Sequence, residues 1–215
     1  MLKGIAFDMD GTLTRPVMDF NEIRNRIGGL DPGAPIYEQA LKMPEPDRSR
    51  ALRILAETEL EAAALTKPND GIYELIAFLE QRGMRKAIFT RNAQKALELT
   101  LSRLGLAGKF EPVVTREQNL KLKPDPEPVL YILKQWRLGP DEVLVVGDFV
   151  FDVMAGKRAG CRTIRVHNPD SPSPFTFAVP SAPTGHEGRP DFTVSRLSEI
   201  INIIEGLHEA GPDQG

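Results

Sequence analysis

Two aspartates, Asp8 and Asp10, follow the short apolar run Gly4-Ile5-Ala6-Phe7 and precede Gly11-Thr12, near the start of a 215-residue chain. The run suits a buried parallel strand, because Ile and Phe fit a pleated surface and neither face is polar. Residues at i and i+2 on a strand share one face, about 6–7 Å apart. The two carboxylates are therefore expected to project together from the strand's carboxyl end, where open α/β sheets place their ligands. Two like charges this close repel, so the pair requires a cation, a shared proton or free access to solvent. The pattern points to metal-assisted chemistry.

Three later segments follow apolar runs in the same sense. Phe89-Thr90-Arg91-Asn92 offers a hydroxyl and turn-region N–H groups, although such residues also cap helices. Lys123-Pro124 opens the run Pro124-Asp125-Pro126-Glu127-Pro128, which restrains the chain around a lysine that would ordinarily be solvated. A fixed ammonium aimed at a carboxylate or phosphate is a common electrostatic catalyst. The segment Gly147-Asp148-Phe149-Val150-Phe151-Asp152 carries two carboxylates at i and i+4, a spacing that shares a helical face. Asp148 alone could equally cap the next helix. Together with Asp8 and Asp10, however, these carboxylates supply the oxygen ligands that Mg²⁺ prefers. Ala155-Gly156-Lys157-Arg158 faintly resembles a phosphate-binding loop, but Phe151 occupies the position of the required first glycine.

The elements that must position these residues are legible from pattern. Strands are expected over 4–7, 86–90, 112–115, 143–146 and 163–166. Helices are expected over 72–82, 94–104, 127–136, 152–159 and 197–208, several closed by Gly. Alternating strands and helices with short connections argue an α/β fold, a doubly wound parallel sheet. Residues 15–66 contain no strand-like run. Asp19 can N-cap a short helix ending at Gly28-Gly29, a second short helix covers 36–42, and a longer one carries Ala51, Leu52, Leu55, Ala56, Leu60 and Ala63. This segment is expected to be a small all-helical domain inserted after the first strand, with 1–14 and 67–215 forming the α/β core. Residues 168–190, rich in Pro, Ser and Gly, read as a long surface loop with mobility or a role at the site mouth.

Composition narrows the partners. Hydrophobic residues make up 41% and charged residues 27%, ordinary for a globular protein, and the net charge of −3 comes with no long basic run. Nucleic acid is not expected as a partner. Cys161 alone allows no intramolecular disulfide and fits a reducing compartment. With no leader before the first strand and no apolar run able to span a bilayer, no membrane association and a cytoplasmic location are expected. The histidines at 167, 186 and 208 are scattered, and Cys161 and Trp136 read as core residues.

Asp8-Met9-Asp10-Gly11-Thr12, Thr90, Lys123-Pro124 and Gly147-Asp148 with Asp152 resemble, in order, the four motifs of the haloacid dehalogenase-like hydrolase superfamily. The match runs from about residue 4 to 166, and Asp191-Phe192-Thr193-Val194 is similar to the family's last strand. The segment 15–66 resembles an abbreviated C1 helical cap on a HAD-like Rossmannoid core. The resemblance implies a Mg²⁺-dependent phosphatase that hydrolyses a small phosphorylated metabolite through an aspartyl-phosphate. In it Asp8 is the nucleophile, Asp10 the general acid and base, and Lys123 the neutralising cation. Thr90 and the N–H groups of Arg91 and Asn92 bind phosphoryl oxygens. The metal is held by Asp8, the Met9 carbonyl or the Asp10 backbone, and Asp148, with Asp152 as ligand or anchor. Phe149 departs from the pattern, since relatives often carry a small hydroxyl residue there. Arg91 and Arg15 either read substrate charge or are surface residues. An abbreviated cap leaves either an open site or a homodimer in which a second subunit completes it. A phosphosugar mutase of the same fold and a binding or regulatory protein on this scaffold are the alternatives.

Overall fold

The computed structural model describes residues 1–167 and 186–209. Their centre is a sheet of six parallel strands: β1 (Gly4–Phe7), β2 (Arg85–Phe89), β3 (Val113–Val114), β4 (Val143–Gly147), β5 (Arg162–Val166) and β6 (Phe192–Val194). Their spatial order is β3-β2-β1-β4-β5-β6. The doubly wound α/β reading therefore holds. Strand order reverses at β1, which pairs with β2 on one side and β4 on the other, so the carboxyl end of β1 opens into the crevice where such sheets bind ligands.

Alternation along the strands sorts side chains between two layers. Ile5 and Phe7 of β1, with Ile88, Leu144 and Val146, pack against α4 (Ile72–Gln81), α5 (Gln94–Arg103) and α8 (Glu199–Glu209). Ala6, with Ala87, Phe89, Val143 and Val145, faces α6 (Glu127–Trp136) and α7 (Val150–Arg158). Trp136 lies on Gly4, where an added Cβ would approach Cζ3 to 2.6 Å. Cys161 belongs to the same layer, and burial, followed by the charge of Asp141, pushes its thiol up to about 12. Both read as packing residues, as their sequence setting suggests.

Between β1 and α4 lie α1 (Phe20–Ile27), α2 (Ile36–Lys42) and α3 (Asp47–Leu65). Asp19 caps α1 by accepting from the N–H groups of Asn21 and Glu22. These helices enclose their own apolar cluster of Ile23, Ile27, Ile36, Ala40, Ala51 and Leu55. The segment leaves and re-enters the sheet region through adjacent chains: Arg15 N donates to Lys67 O at 3.0 Å, and Asn69 N to Leu13 O at 3.0 Å. One detail of the pattern changes. The buried row of α3 is Ala51, Leu55, Glu59 and Ala63, while Leu60 is exposed. A charged residue occupies a core position, and its partner lies near the site.

Helix α7 starts at Val150, two residues before its expected start. Asp148 is not its cap. Asp152 is the capping carboxylate, accepting from Phe149 N at 3.0 Å. The expected loop over 168–190 falls, for residues 168–185, outside the described residues.

Candidate active site

Asp8 continues the β1 ladder by one residue, with its N–H donating to Val146 O at 2.8 Å. Strand parity puts its side chain on the Ala6 face, the layer from which α6 and α7 approach. The chain then turns at Met9, whose carbonyl accepts from the N–H groups of Thr12, Leu13 and Thr14 at 3.2, 2.9 and 3.1 Å. This turn, rather than strand alternation, sets the position of Asp10, and Asp8 and Asp10 line one cleft of about 160 Å³.

Lys123, from the segment preceding α6, reaches the same point. Its Nζ donates to Asp8 Oδ1 at 2.5 Å and to Asp152 Oδ1 at 2.6 Å, and it lies 4.6 Å from the centre of the Phe89 ring. All three groups are buried. Burial opposes the ammonium, but the charges of Asp152 and Asp8 outweigh it and hold Lys123 above the usual lysine range.

Asp8, Asp148 and Asp152 each offer a carboxylate oxygen, and these oxygens lie within 4.8 Å of one another. Two glycines allow this approach. At Gly11 (φ +76°) a Cβ would meet Asp148 Oδ2 at 2.1 Å, and at Gly147 it would meet the Asp152 Cβ at 2.2 Å. Three carboxylates face one ammonium. Burial, with Asp8 and Asp152 as further causes, raises Asp148 well above the carboxylate range. Burial likewise raises Asp8 to about 6, against the pull of Lys123. An all-oxygen donor set with excess negative charge fits a hard divalent cation.

Asp10 lies apart from that triad in its bonding. Asn92 Nδ2 donates to Asp10 Oδ2 at 2.6 Å. Burial first, then the charges of Asp8 and Glu59, raise Asp10 to about 7. Thr90 is buried at the end of β2, and its Oγ1 accepts from Asn92 N at 3.2 Å. Arg91 turns toward α2: Nη2 donates to both oxygens of Glu38 at 2.6 Å, and Nη1 to Lys123 O at 2.6 Å. Arg15, the other ambiguous cation, pairs with Asp70 at 2.8 Å in solvent.

Two contributors escaped the sequence reading. Glu59 of α3 is buried against Arg116, which also donates to Arg91 O at 3.2 Å, while Glu59 Oε2 accepts from Ala93 N at 3.1 Å. An acidic residue in the i, i+4 apolar row of α3 was the available signal. Asn69, read as part of a turn, donates to the carbonyls of Gly11 at 3.3 Å and Thr12 at 2.9 Å, bracing the loop after Asp10.

A parallel α/β sheet whose strand ends gather a carboxylate cluster around one buried lysine has the make-up of a metal-assisted enzyme site. Comparison with known proteins gives the family. The haloacid dehalogenase-like hydrolase family matches residues 21–166, and the chain belongs to it. A haloacid dehalogenase-like hydrolase domain-containing protein of Arabidopsis thaliana is 33% identical, over 98% of this chain and 87% of its own. An N-acetylmuramic acid 6-phosphate phosphatase of Pseudomonas aeruginosa is 28% identical, over 95% of each chain. The crystal structure of a hydrolase from Pseudomonas syringae superposes with a TM-score of 0.73 at 19% identity, over 95% of this chain and 99% of that one, and shares the fold. No described helix is long and apolar enough to cross a membrane.

Proposed function

We propose that the chain is a Mg²⁺-dependent phosphatase of small phosphomonoesters, working through an aspartyl-phosphate, with residues 15–66 as its cap. The observation that carries this reading is Lys123 bridging Asp8 and Asp152 beside Asp148, in the cleft that also holds Asp10. Four motifs far apart in sequence converge there, which also weighs against a binding protein on a scaffold that has lost its chemistry. The phosphatase activity named for the Pseudomonas aeruginosa relative agrees with it.

In the first half-reaction an Asp8 carboxylate oxygen attacks phosphorus, a new P–O bond forms to Asp8, and the ester P–O bond breaks. Asp10, protonated, gives its proton to the departing alkoxide oxygen. In the second half-reaction Asp10, now a carboxylate, takes a proton from water as that water attacks phosphorus. The Asp8–phosphorus bond then breaks, releasing inorganic phosphate and restoring both aspartates. A pKa near 7 suits a group that must be acid and base in turn at neutral pH. Lys123 balances the charge that gathers on Asp8 and the transferring group. Thr90 Oγ1 and the backbone of Arg91 and Asn92 are assigned to the phosphoryl oxygens, and Asn92 Nδ2 holds Asp10 in place.

Asp8, Asp148 and the Asp10 backbone would hold Mg²⁺, since the Met9 carbonyl is engaged in the turn, with Asp152 as a further ligand or, through its bonds to Lys123 and Phe149 N, as their anchor. When bound, the ion supplies charge neutralisation to the phosphoryl oxygens. The test is hydrolysis of an aryl phosphate by Asp8→Asn and Asp10→Asn. Each is expected to lose most turnover, and unchanged hydrolysis in both would sink the proposal.

A further inference from the structure

The cleft beside Asp8 is lined by four cationic side chains, and each already has partners. Lys123 sits between Asp8 and Asp152. Arg91 is held by both oxygens of Glu38 and by the Lys123 carbonyl. Arg116 is paired with buried Glu59 and with the Arg91 carbonyl. Arg24 donates to the carbonyls of Phe20 at 3.2 Å and Ala34 at 3.4 Å. Much of the remaining lining is apolar, with Val17, Met18, Ile36, Tyr37, Leu55 and Phe151 among its residues.

We infer that the alcohol portion of the substrate is uncharged and largely apolar, and that Glu38 and Glu59 enforce this by neutralising two arginines that could otherwise receive a second anionic group. The inference rests on the phosphatase reading above. A carboxylate near the ester would enter a cleft whose guanidiniums are taken, next to Asp10 and Glu59. It would lose its hydration without gaining a counter-charge. Leaving a competing substrate's charge desolvated and unpaired is an effective way to refuse it. An alkyl or aryl group suffers neither penalty and removes the apolar lining from water. Both glutamates lie on the helices between β1 and α4, Glu38 on α2 and Glu59 on α3. The selecting charges and the apolar residues Ile36, Tyr37 and Leu55 thus come from one segment, separate from the residues assigned to the chemistry. By this criterion the chain differs from the Pseudomonas aeruginosa relative, whose named substrate is an acid.

Isobutyl phosphate and phosphoglycolate test the inference as a matched pair, since a branched methyl pair replaces the carboxylate at similar size. With Mg²⁺ present, kcat/KM for isobutyl phosphate is expected to exceed that for phosphoglycolate by about ten-fold or more, the factor that 1.4 kcal/mol of discrimination gives. Glu38→Gln should narrow that ratio several-fold, because it leaves Arg91 able to meet the carboxylate. Glucose 6-phosphate, neutral beyond its phosphate but polar, should also fall below isobutyl phosphate. Equal or better turnover of phosphoglycolate, a ratio unmoved in Glu38→Gln, or a preference for the sugar ester would overturn the inference while leaving the phosphatase reading standing. Turnover of neither an aryl phosphate nor any of the three by the folded protein would overturn that reading, and the inference with it.

Discussion

Lys123 Nζ lies 2.5 Å from Asp8 Oδ1, joining two residues 115 positions apart in the chain. The contact closes the site, because the same ammonium holds Asp152 and so fixes the start of α7 against the end of β1. Its charge matters most when negative charge on Asp8 and the transferring group is greatest. Lys123→Ala is therefore expected to lower kcat by about 10²- to 10³-fold with a small change in KM. Steady-state kinetics on an aryl phosphate decide it, with circular dichroism to establish folding. A rise in KM alone, at unchanged kcat, would remove Lys123 from the chemistry.

Asp148 differs from its neighbours in the carboxylate triad, because Asp8 and Asp152 share the lysine. Metal dependence should therefore concentrate on Asp148. EDTA is expected to stop hydrolysis and Mg²⁺ to restore it. Asp148→Asn should raise the Mg²⁺ concentration for half-maximal activity by about ten-fold or more. Activity that survives exhaustive chelation would contradict the proposed metal role of the triad.

Five strands of the sheet were legible from pattern because they are short runs of β-branched and large apolar residues, bounded by Gly or by charged residues, whereas β6 was expected only through the family resemblance. Val143–Gly147 is the clearest example, buried along its whole length. The helices α1 and α2 were legible from their breakers, with Asp19 before one and Pro35 before the other. Asp8, Lys123, Asp148 and Asp152 could be gathered in advance because each follows a strand on the same edge of a parallel sheet. Three things were hidden. The turn at Met9 depends on which backbone groups bond, which residue types do not specify. Asp152 rather than Asp148 caps α7 because the helix begins two residues earlier than its apolar pattern. The ion pairs of Arg91 with Glu38 and of Arg116 with Glu59 join residues 53 and 57 positions apart. No local periodicity reports such long-range pairings.

Asp191 marks where β6 joins the sheet, and its charge gives a pH-dependent contribution to stability. Burial pushes its pKa upward, but Lys157, 2.5 Å away, and the N–H of Thr163, 2.6 Å away, outweigh burial and hold it below the usual aspartate range. An acid with a depressed folded pKa stabilises the fold above its unfolded pKa, about 4, and loses that contribution as pH falls through the folded value. Asp191→Asn is expected to lower stability by about 1 kcal/mol at pH 7, allowing for partial exposure. The difference from wild type should shrink below about pH 4. Thermal unfolding of both proteins across this range is the measurement, and a difference independent of pH would refute the electrostatic account.

Glu59 and Arg116 form a buried ion pair between α3 and the segment after β3, with side chains 3% and 7% exposed. Removing one partner leaves the other charged and desolvated, so Glu59→Leu and Arg116→Met should each cost about 3–5 kcal/mol. The double variant replaces the pair by apolar groups and should be more stable than either single variant, giving a clear coupling energy in a double-mutant cycle. Activity should not recover with stability. Glu59 accepts from Ala93 N, and Arg116 donates to Arg91 O, so the pair holds the backbone on both sides of Asn92, the residue bonded to Asp10. Apolar side chains restore packing but make neither bond. Denaturant unfolding and kcat measured on the same four proteins separate the two roles. A double variant with wild-type kcat would show that the pair only packs α3 onto the core.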